Sequence, residues 1–154
     1  MILFIVSIIS GFLISRLGNV RPTIIGTVIS SIGFFILFAY HDSEILIAMD
    51  LLVIAIGISF AEVGVFNITT QFVPKQYSGI SIGITTLLFL VGMSIGPAIA
   101  GMFMEQYRDT TGSPSSEAYD LIFLSGFLIS AISIPLTVIV TKRVLRANSI
   151  SIER

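Results

Sequence analysis

Three long stretches of this chain contain no charged residue: Pro22 to Tyr40, Gln76 to Met104 and Leu121 to Thr141. A helix needs roughly 20 apolar residues to cross the hydrocarbon core of a bilayer, and each stretch meets or nearly meets that length. Only 11% of the 154 residues are charged, whereas soluble domains carry about 25%. A water-facing surface cannot be built from so few charges, so the sequence predicts an integral membrane protein.

Five hydrophobic segments are predicted to be helices, at residues 1–15, 22–40, 45–73, 77–103 and 119–141. Lipid offers the backbone no hydrogen-bonding partner, which leaves helices or closed barrels as the spanning structures. The apolar runs are continuous and do not alternate as barrel strands do. The predicted fold class is therefore an all-α membrane protein, with a helical bundle over residues 1–146 and a short cytoplasmic tail at 147–154.

The first segment, Met1 to Ser15, is too short to span a bilayer. It lacks the positively charged region that opens a signal peptide. We therefore interpret it as a truncated helix in preference to a signal anchor, and expect a missing N-terminal part of the protein.

Charge distribution predicts the orientation of the segments, because cytoplasmic loops of membrane proteins are enriched in Lys and Arg. Arg108 is the single basic residue on one predicted side of the membrane. This asymmetry places the C-terminus in the cytoplasm. The basic residues on the opposite, cytoplasmic side are Arg16, Arg21, Lys75, Lys142, Arg143, Arg146 and Arg154.

The connection between the first two segments contains Gly11, Arg16, Gly18 and Arg21. This pattern resembles the cytoplasmic loop signature G-x-x-x-D-R-x-G-R-R of the major facilitator superfamily, with Ser15 in place of the acidic residue. Glycine allows close helix approach and a tight turn, while the arginines hold the loop on the positive side.

The fourth segment resembles the glycine- and proline-rich helices 5 and 11 of the superfamily's drug:proton antiporters. Small residues on one helix face permit close helix packing in lipid, and a proline frees a carbonyl and bends the helix. We expect a packing or gating role for this set, which comprises Gly79, Gly83, Gly92, Gly96, Pro97, Ala100 and Gly101. The preceding Phe72 to Gly79 is similar to the turn that leads into the same helix.

The resemblance implies that the five segments match helices 8–12, the larger part of a C-terminal half. The competing placement, helices 2–6, is disfavoured because the third segment lacks the Arg usual in helix 4. It further implies part of a secondary active transporter that works by alternating access, with proton-coupled multidrug efflux as its activity. The implied partners are the lipid bilayer, a small-molecule substrate, protons and the missing N-terminal half of the transporter.

The third segment carries two acidic residues, Asp50 and Glu62. Glu62 lies about 5 Å from the middle of the segment, where a charge costs at least ~2.5–3.5 kcal/mol. We interpret Glu62 either as a proton- or cation-binding group in a transport path, or as a protonated packing residue. Ser59, Phe66 and Thr69 share its face at helical spacing. Asp50 is a second transport candidate, although its position near the outer interface also suits a carboxylate in contact with water.

The sequence contains no group of residues arranged for covalent chemistry, cofactor binding or metal binding, and it has no Cys. No basic stripe indicates nucleic-acid binding. Asp50 and Glu62, about 18 Å apart along one helix, cannot form a catalytic carboxylate pair. We therefore predict that the protein is not an enzyme. The alternatives to a transporter are a non-transporting membrane subunit or scaffold, and an inactive transporter remnant.

Overall fold

A computed structural model describes residues 21–41 and 43–152 of the chain. These residues form four helices, each of which is long and apolar enough to cross a membrane. They are α1 (Arg21–Ala39), α2 (Glu44–Phe72), α3 (Ser78–Gln106) and α4 (Ser116–Ile152), with a short 3-10 helix at Lys75–Tyr77. Four of the predicted segments are therefore found, while the one at residues 1–15 lies outside the described residues.

The helix ends agree closely with the prediction except at α4. Pro22 occupies the first turn of α1, where its missing N–H is no loss, and α2 ends at Phe72 just before Pro74. The helix α4 was expected to end at Thr141 but continues to Ile152. Its apolar span does stop at Val140. The backbone continues as a helix beyond that point because the following residues include neither Gly nor Pro.

The helices α1 and α2 run antiparallel and touch through their backbones. A Cβ atom added to Gly26 would lie 2.5 Å from the carbonyl oxygen of Gly57, and one added to Gly33 would lie 2.6 Å from Ile54 Cγ1. Near the other end of the contact, a Cβ atom on Gly64 would lie 2.8 Å from the backbone nitrogen of Thr23. Small residues at these positions let the two helices approach closely, which is how helices commonly associate in lipid.

The helix α4 packs antiparallel against another side of α1. The rings of Phe35 and Phe127 lie 5.3 Å apart, and a Cβ atom on Gly126 would lie 2.7 Å from the ring of Phe34. At the end of this contact, His41 Nε2 lies 3.3 Å from Asp120 Oδ1. The helix α1 is therefore held between α2 and α4.

The helix α3 touches α2 and α4 only lightly and is largely exposed. A Cβ atom added to any of its glycines would meet nothing within 4 Å among the described residues. The close packing that we expected from the glycines of this helix is thus not formed by the described part of the chain. The tight glycine contacts lie at α1–α2 and α1–α4 instead. The open positions are Gly79, Gly83, Gly92, Gly96 and Gly101.

The connection from α3 to α4 folds around the side chain of Asp109. Its Oδ1 atom accepts hydrogen bonds from the Thr111 hydroxyl, from the Thr111 N–H at 2.7 Å and from the Ser113 N–H at 3.1 Å. These bonds lower the pKa of Asp109, the Thr111 hydroxyl having the largest effect. Gly112 completes the turn with a φ of 84°, a conformation that favours glycine.

Candidate functional site

A cavity of about 320 Å³ lies among the four helices. Its apolar wall combines three aromatic rings, from Phe34, Phe66 and Phe89, with the aliphatic side chains of Ile58, Ala61 and Val65. Its polar lining consists of hydroxyl residues and one carboxyl residue, Glu62. A mostly apolar cavity with a few polar groups is the usual composition of a site for a small molecule.

Six of the hydroxyl residues form two matching rows on α1 and α4. The contact between Phe34 and Gly126 fixes the register of these helices, and each further turn brings another pair of hydroxyl residues to the same level. We call this arrangement the hydroxyl ladder. Its rungs are Ser30 with Ser130, Thr27 with Ser133, and Thr23 with Thr137. A seventh lining hydroxyl residue, Thr85, comes from α3.

Among the described residues that line this cavity, Glu62 is the one ionisable residue. Its neighbour Ala61 lies against Gly26 of α1, so Glu62 sits level with the turn between Thr23 and Thr27. The side chain is half-buried. Glu62 is therefore level with the Thr23 and Thr27 rungs of the hydroxyl ladder. None of the described residues that line the cavity is basic.

The hydroxyl hydrogens in the lining are largely used within their own helices. Five of the seven hydroxyls donate to a backbone carbonyl three or four residues earlier, at 2.6–3.0 Å. A hydroxyl has one donor hydrogen and two acceptor lone pairs, so only acceptor capacity remains for a ligand. The five are Thr27, Ser30, Thr85, Ser130 and Ser133.

The three residues predicted to share a helix face with Glu62 lie in three different surroundings. Phe66 lines the same cavity as Glu62. Thr69 lines an adjoining cavity, also of about 320 Å³, which shares Thr23 and Thr137 with the first. Ser59 is buried in the helix contacts and lines neither cavity.

Asp50 lies far from this cavity and is 7% exposed. Its Oδ2 atom is inaccessible and has no hydrogen-bond partner in the described part of the chain. The interpretation of Asp50 as a carboxylate in contact with water is therefore wrong. The position of Asp50 along α2 could be predicted from the sequence. The helix face on which its side chain lies could not, and that face is the packed one.

The two sequence motifs have different places in the structure. Three residues of the loop motif, Gly11, Arg16 and Gly18, lie outside the described residues, whereas Arg21 is the exposed first residue of α1. In α3, Gly96 and Ala100 line a third cavity, of about 260 Å³, together with Phe34 and Gly126. Pro97, within the helix, is exposed.

The hydroxyl ladder and the α1–α2 glycines were missed by sequence reasoning, although both leave a signal. Hydroxyl residues recur at intervals of four and three residues in the second segment, and of three and four in the fifth. Two glycine pairs, Gly26 with Gly33 and Gly57 with Gly64, each have a spacing of seven. Either spacing keeps residues on one helix face. Within residues 21–41 and 43–152, no group of three or more His, Cys, Asp or Glu side chains could hold a metal ion.

Comparison with known proteins supports the sequence resemblance. The sequence profile of the Major Facilitator Superfamily matches residues 1–154. Two curated proteins are 26% identical to the chain over 114 residues: "Multidrug resistance protein Stp" from Mycobacterium tuberculosis strain CDC 1551 / Oshkosh, and the protein of that name from strain ATCC 25618 / H37Rv.

The aligned part covers 73% of this chain and 21% of each relative. This chain therefore spans about a fifth of the length of the curated relatives that it matches. No solved structure matches the chain. The profile match over the whole sequence and the apolar, membrane-length helices together confirm the resemblance: the chain is a multi-pass membrane protein that belongs to the Major Facilitator Superfamily.

Proposed function

We propose that this chain is part of a secondary active transporter that moves a small molecule across the membrane by alternating access. The observation that carries the proposal is the position of Glu62, a half-buried carboxyl residue on the wall of a cavity within the membrane-spanning bundle. The name of the two relatives favours drug-like substrates. Transporters of this kind bind substrate near the middle of the membrane and rock two helix bundles around the site.

Glu62 is proposed to bind a cationic substrate and a proton in alternation. An ionised carboxylate within the bilayer costs at least ~2.5–3.5 kcal/mol, and the cavity supplies acceptor oxygens but no basic side chain to offset that cost. The group is therefore stabilised either by taking up a proton or by pairing with a cation. Because one carboxylate cannot do both at once, loading of substrate on one side releases the proton there, which couples the two movements.

The remaining parts of the transporter are assigned by the resemblance. On this proposal the chain supplies helices 8–12, with residues 1–15 as the first of them, and the N-terminal half forms the opposite wall of the path. The distribution of basic residues supports a cytoplasmic position for the C-terminus and for the Arg16–Arg21 loop. The presence of a carboxyl residue on the wall of the cavity favours a transporter over a scaffold, since a scaffold needs packed helix faces but no carboxyl-lined space.

The test uses membrane vesicles from the native cells, with the substitution Glu62→Gln made at the chromosomal locus. The measurement is accumulation of a fluorescent dansyl-alkyl dimethylamine driven by a pH gradient, together with the proton flux. We expect a loss of at least tenfold, because glutamine can neither ionise nor carry a proton. Glu44→Gln is the matched control, since Glu44 is an exposed acidic residue at the start of the same helix. An unchanged rate and an unchanged pH dependence in Glu62→Gln remove Glu62 from the mechanism.

A further inference from the structure

The cavity beside Glu62 is rich in hydrogen-bond acceptors and poor in donors. Five lining hydroxyls donate their hydrogen to their own helix, and one of them, Ser30, has its Oγ atom against Gly57 in the α1–α2 contact. A ligand therefore meets the oxygen lone pairs of the other four. When ionised, Glu62 is also an acceptor only. None of the described residues that line the cavity is Lys, Arg, His, Asn, Gln, Tyr or Trp, which are the other side chains that donate hydrogen bonds.

The remaining two lining hydroxyls do not change this balance. Thr23 Oγ1 is inaccessible to solvent and lies against Gly64 in the α1–α2 contact, so its hydrogen is not presented to the cavity. Thr137 is a single residue at the last rung of the hydroxyl ladder. Among the described residues of the lining, acceptor oxygens therefore outnumber available donors.

From this imbalance we infer that the site selects cations that carry N–H groups, such as protonated primary, secondary and tertiary amines, over permanently charged quaternary ammonium ions. This inference rests on the proposed function and narrows its substrate class. The single N–H of a tertiary ammonium donates to the carboxylate of Glu62, and the further N–H groups of a secondary or primary ammonium donate to hydroxyl oxygens of the ladder. A quaternary ion keeps the charge but presents only methyl groups to those acceptors.

The aromatic lining helps to isolate the effect of the hydrogen bonds when the affinities of protonated amines and quaternary ammonium ions are compared. Phe34, Phe66 and Phe89 line the cavity, and aromatic faces attract quaternary and protonated ammonium ions alike. Coulomb attraction to Glu62 is likewise common to both kinds of cation. The difference in affinity between the two therefore reports the hydrogen bonds. A charge-assisted hydrogen bond contributes enough to change affinity by about tenfold or more.

The test compares two dansyl-alkyl probes of equal charge and equal heavy-atom number, one ending in trimethylammonium and the other in protonated ethylmethylamine. Binding to the transporter purified from the native cells and placed in lipid nanodiscs is followed by dansyl fluorescence, at a pH at which the amine is protonated. We expect the amine to bind at least about tenfold more tightly. We also expect Glu62→Gln to reduce that preference, whereas Glu44→Gln should leave it unchanged.

The outcomes separate this inference from the proposed function. Equal binding of the two probes, with both weakened by Glu62→Gln, overturns the N–H selectivity and leaves the cation site intact. Binding of both probes that does not respond to Glu62→Gln, or no binding of either, overturns the cation site itself and with it the selectivity. A matching dansyl-alkyl sulfonate is the charge control, and we expect it not to bind.

Discussion

Gly57 of α2 lies directly against Ser30 of α1, so that a Cβ atom on Gly57 would be 2.6 Å from the Ser30 backbone nitrogen. Ser30 at the same time lines the cavity and bonds its hydroxyl to the Gly26 carbonyl at 3.0 Å. A close contact of the two helices and the wall of the candidate site are therefore built at the same level of the bundle.

This contact predicts that Gly57→Ala destabilises the chain. The added methyl group meets a backbone atom, which no side-chain rotation can relieve, and overpacking of this kind costs about 1–3 kcal/mol. Gly83→Ala is the matched control, because a Cβ atom there meets nothing within 4 Å in the described residues and alanine favours a helix over glycine by up to about 1 kcal/mol. Thermal melting in detergent should give a lower Tm for Gly57→Ala and an equal or higher Tm for Gly83→Ala. Equal Tm values for the two variants would contradict the tight α1–α2 contact.

Thr27→Val is predicted to weaken binding of a dansyl-alkyl primary ammonium probe by about twofold to tenfold. Such a probe has N–H groups for both Glu62 and a hydroxyl oxygen, and one neutral acceptor contributes roughly 0.5–1.5 kcal/mol. Valine keeps the size of the side chain while removing the hydroxyl of a central rung. Thr86→Val on α3 provides the comparison, because Thr86 makes the same kind of bond within its helix but is exposed and outside the cavity lining. Titration by dansyl fluorescence in nanodiscs distinguishes the two. The hydroxyl ladder has no part in binding if both variants retain wild-type affinity.

Asp50→Leu is predicted to stabilise the chain by about 1–3 kcal/mol, because it removes a buried carboxyl oxygen that has no partner among the described residues. Met49→Leu, an exposed apolar exchange on the same helix, should leave stability unchanged. Both variants are compared by thermal melting in detergent. A lower Tm for Asp50→Leu would mean that the carboxyl group makes a stabilising interaction elsewhere in the protein.

The Asp109 turn is predicted to keep its hydrogen bonds until the pH falls below about 3.8. Hydrogen bonds from Thr111 and Ser113 lower the pKa of Asp109 below its ordinary value of 3.8. A carboxyl group with a lowered pKa in the folded state stabilises the fold above its unfolded pKa, and this contribution is lost as the pH falls through the folded value. Exchange of the Thr111 and Ser113 amide hydrogens should therefore accelerate only in that acid range. In Asp109→Asn, the same amides should show no such acid step.

The positions of the membrane-spanning helices could be predicted from the sequence because they depend on length and composition alone. Pro74 ends α2 for a local steric reason, and Pro22 suits the first turn of α1 for another. Glu62 could be selected as a site residue because a carboxyl group in the middle of an apolar helix is costly wherever its neighbours lie.

The pairing of helix faces could not be predicted in the same way. The glycines of α3 are as regularly spaced as those of α1 and α2, and only the tertiary arrangement decides which of them meet another helix. Asp50 illustrates the same problem, since its depth follows from its place in the sequence while its burial depends on which face of α2 packs. The hydroxyl ladder requires the register between α1 and α4, which the contact of Phe34 with Gly126 sets.

The glycine contact between α1 and α2 also sets the shape of the site, whereas the chemistry of the site depends in part on side chains outside that contact. The angle and spacing of these two helices depend on backbone atoms that meet at Gly26, Gly57 and Gly64. Thr27 and Glu62 line the cavity without taking part in that contact, whereas Ser30 and Thr23 line the cavity and also meet Gly57 and Gly64. On the proposed function, substitution of Thr27 or Glu62 is therefore expected to change which molecules bind while the α1–α2 packing stays the same.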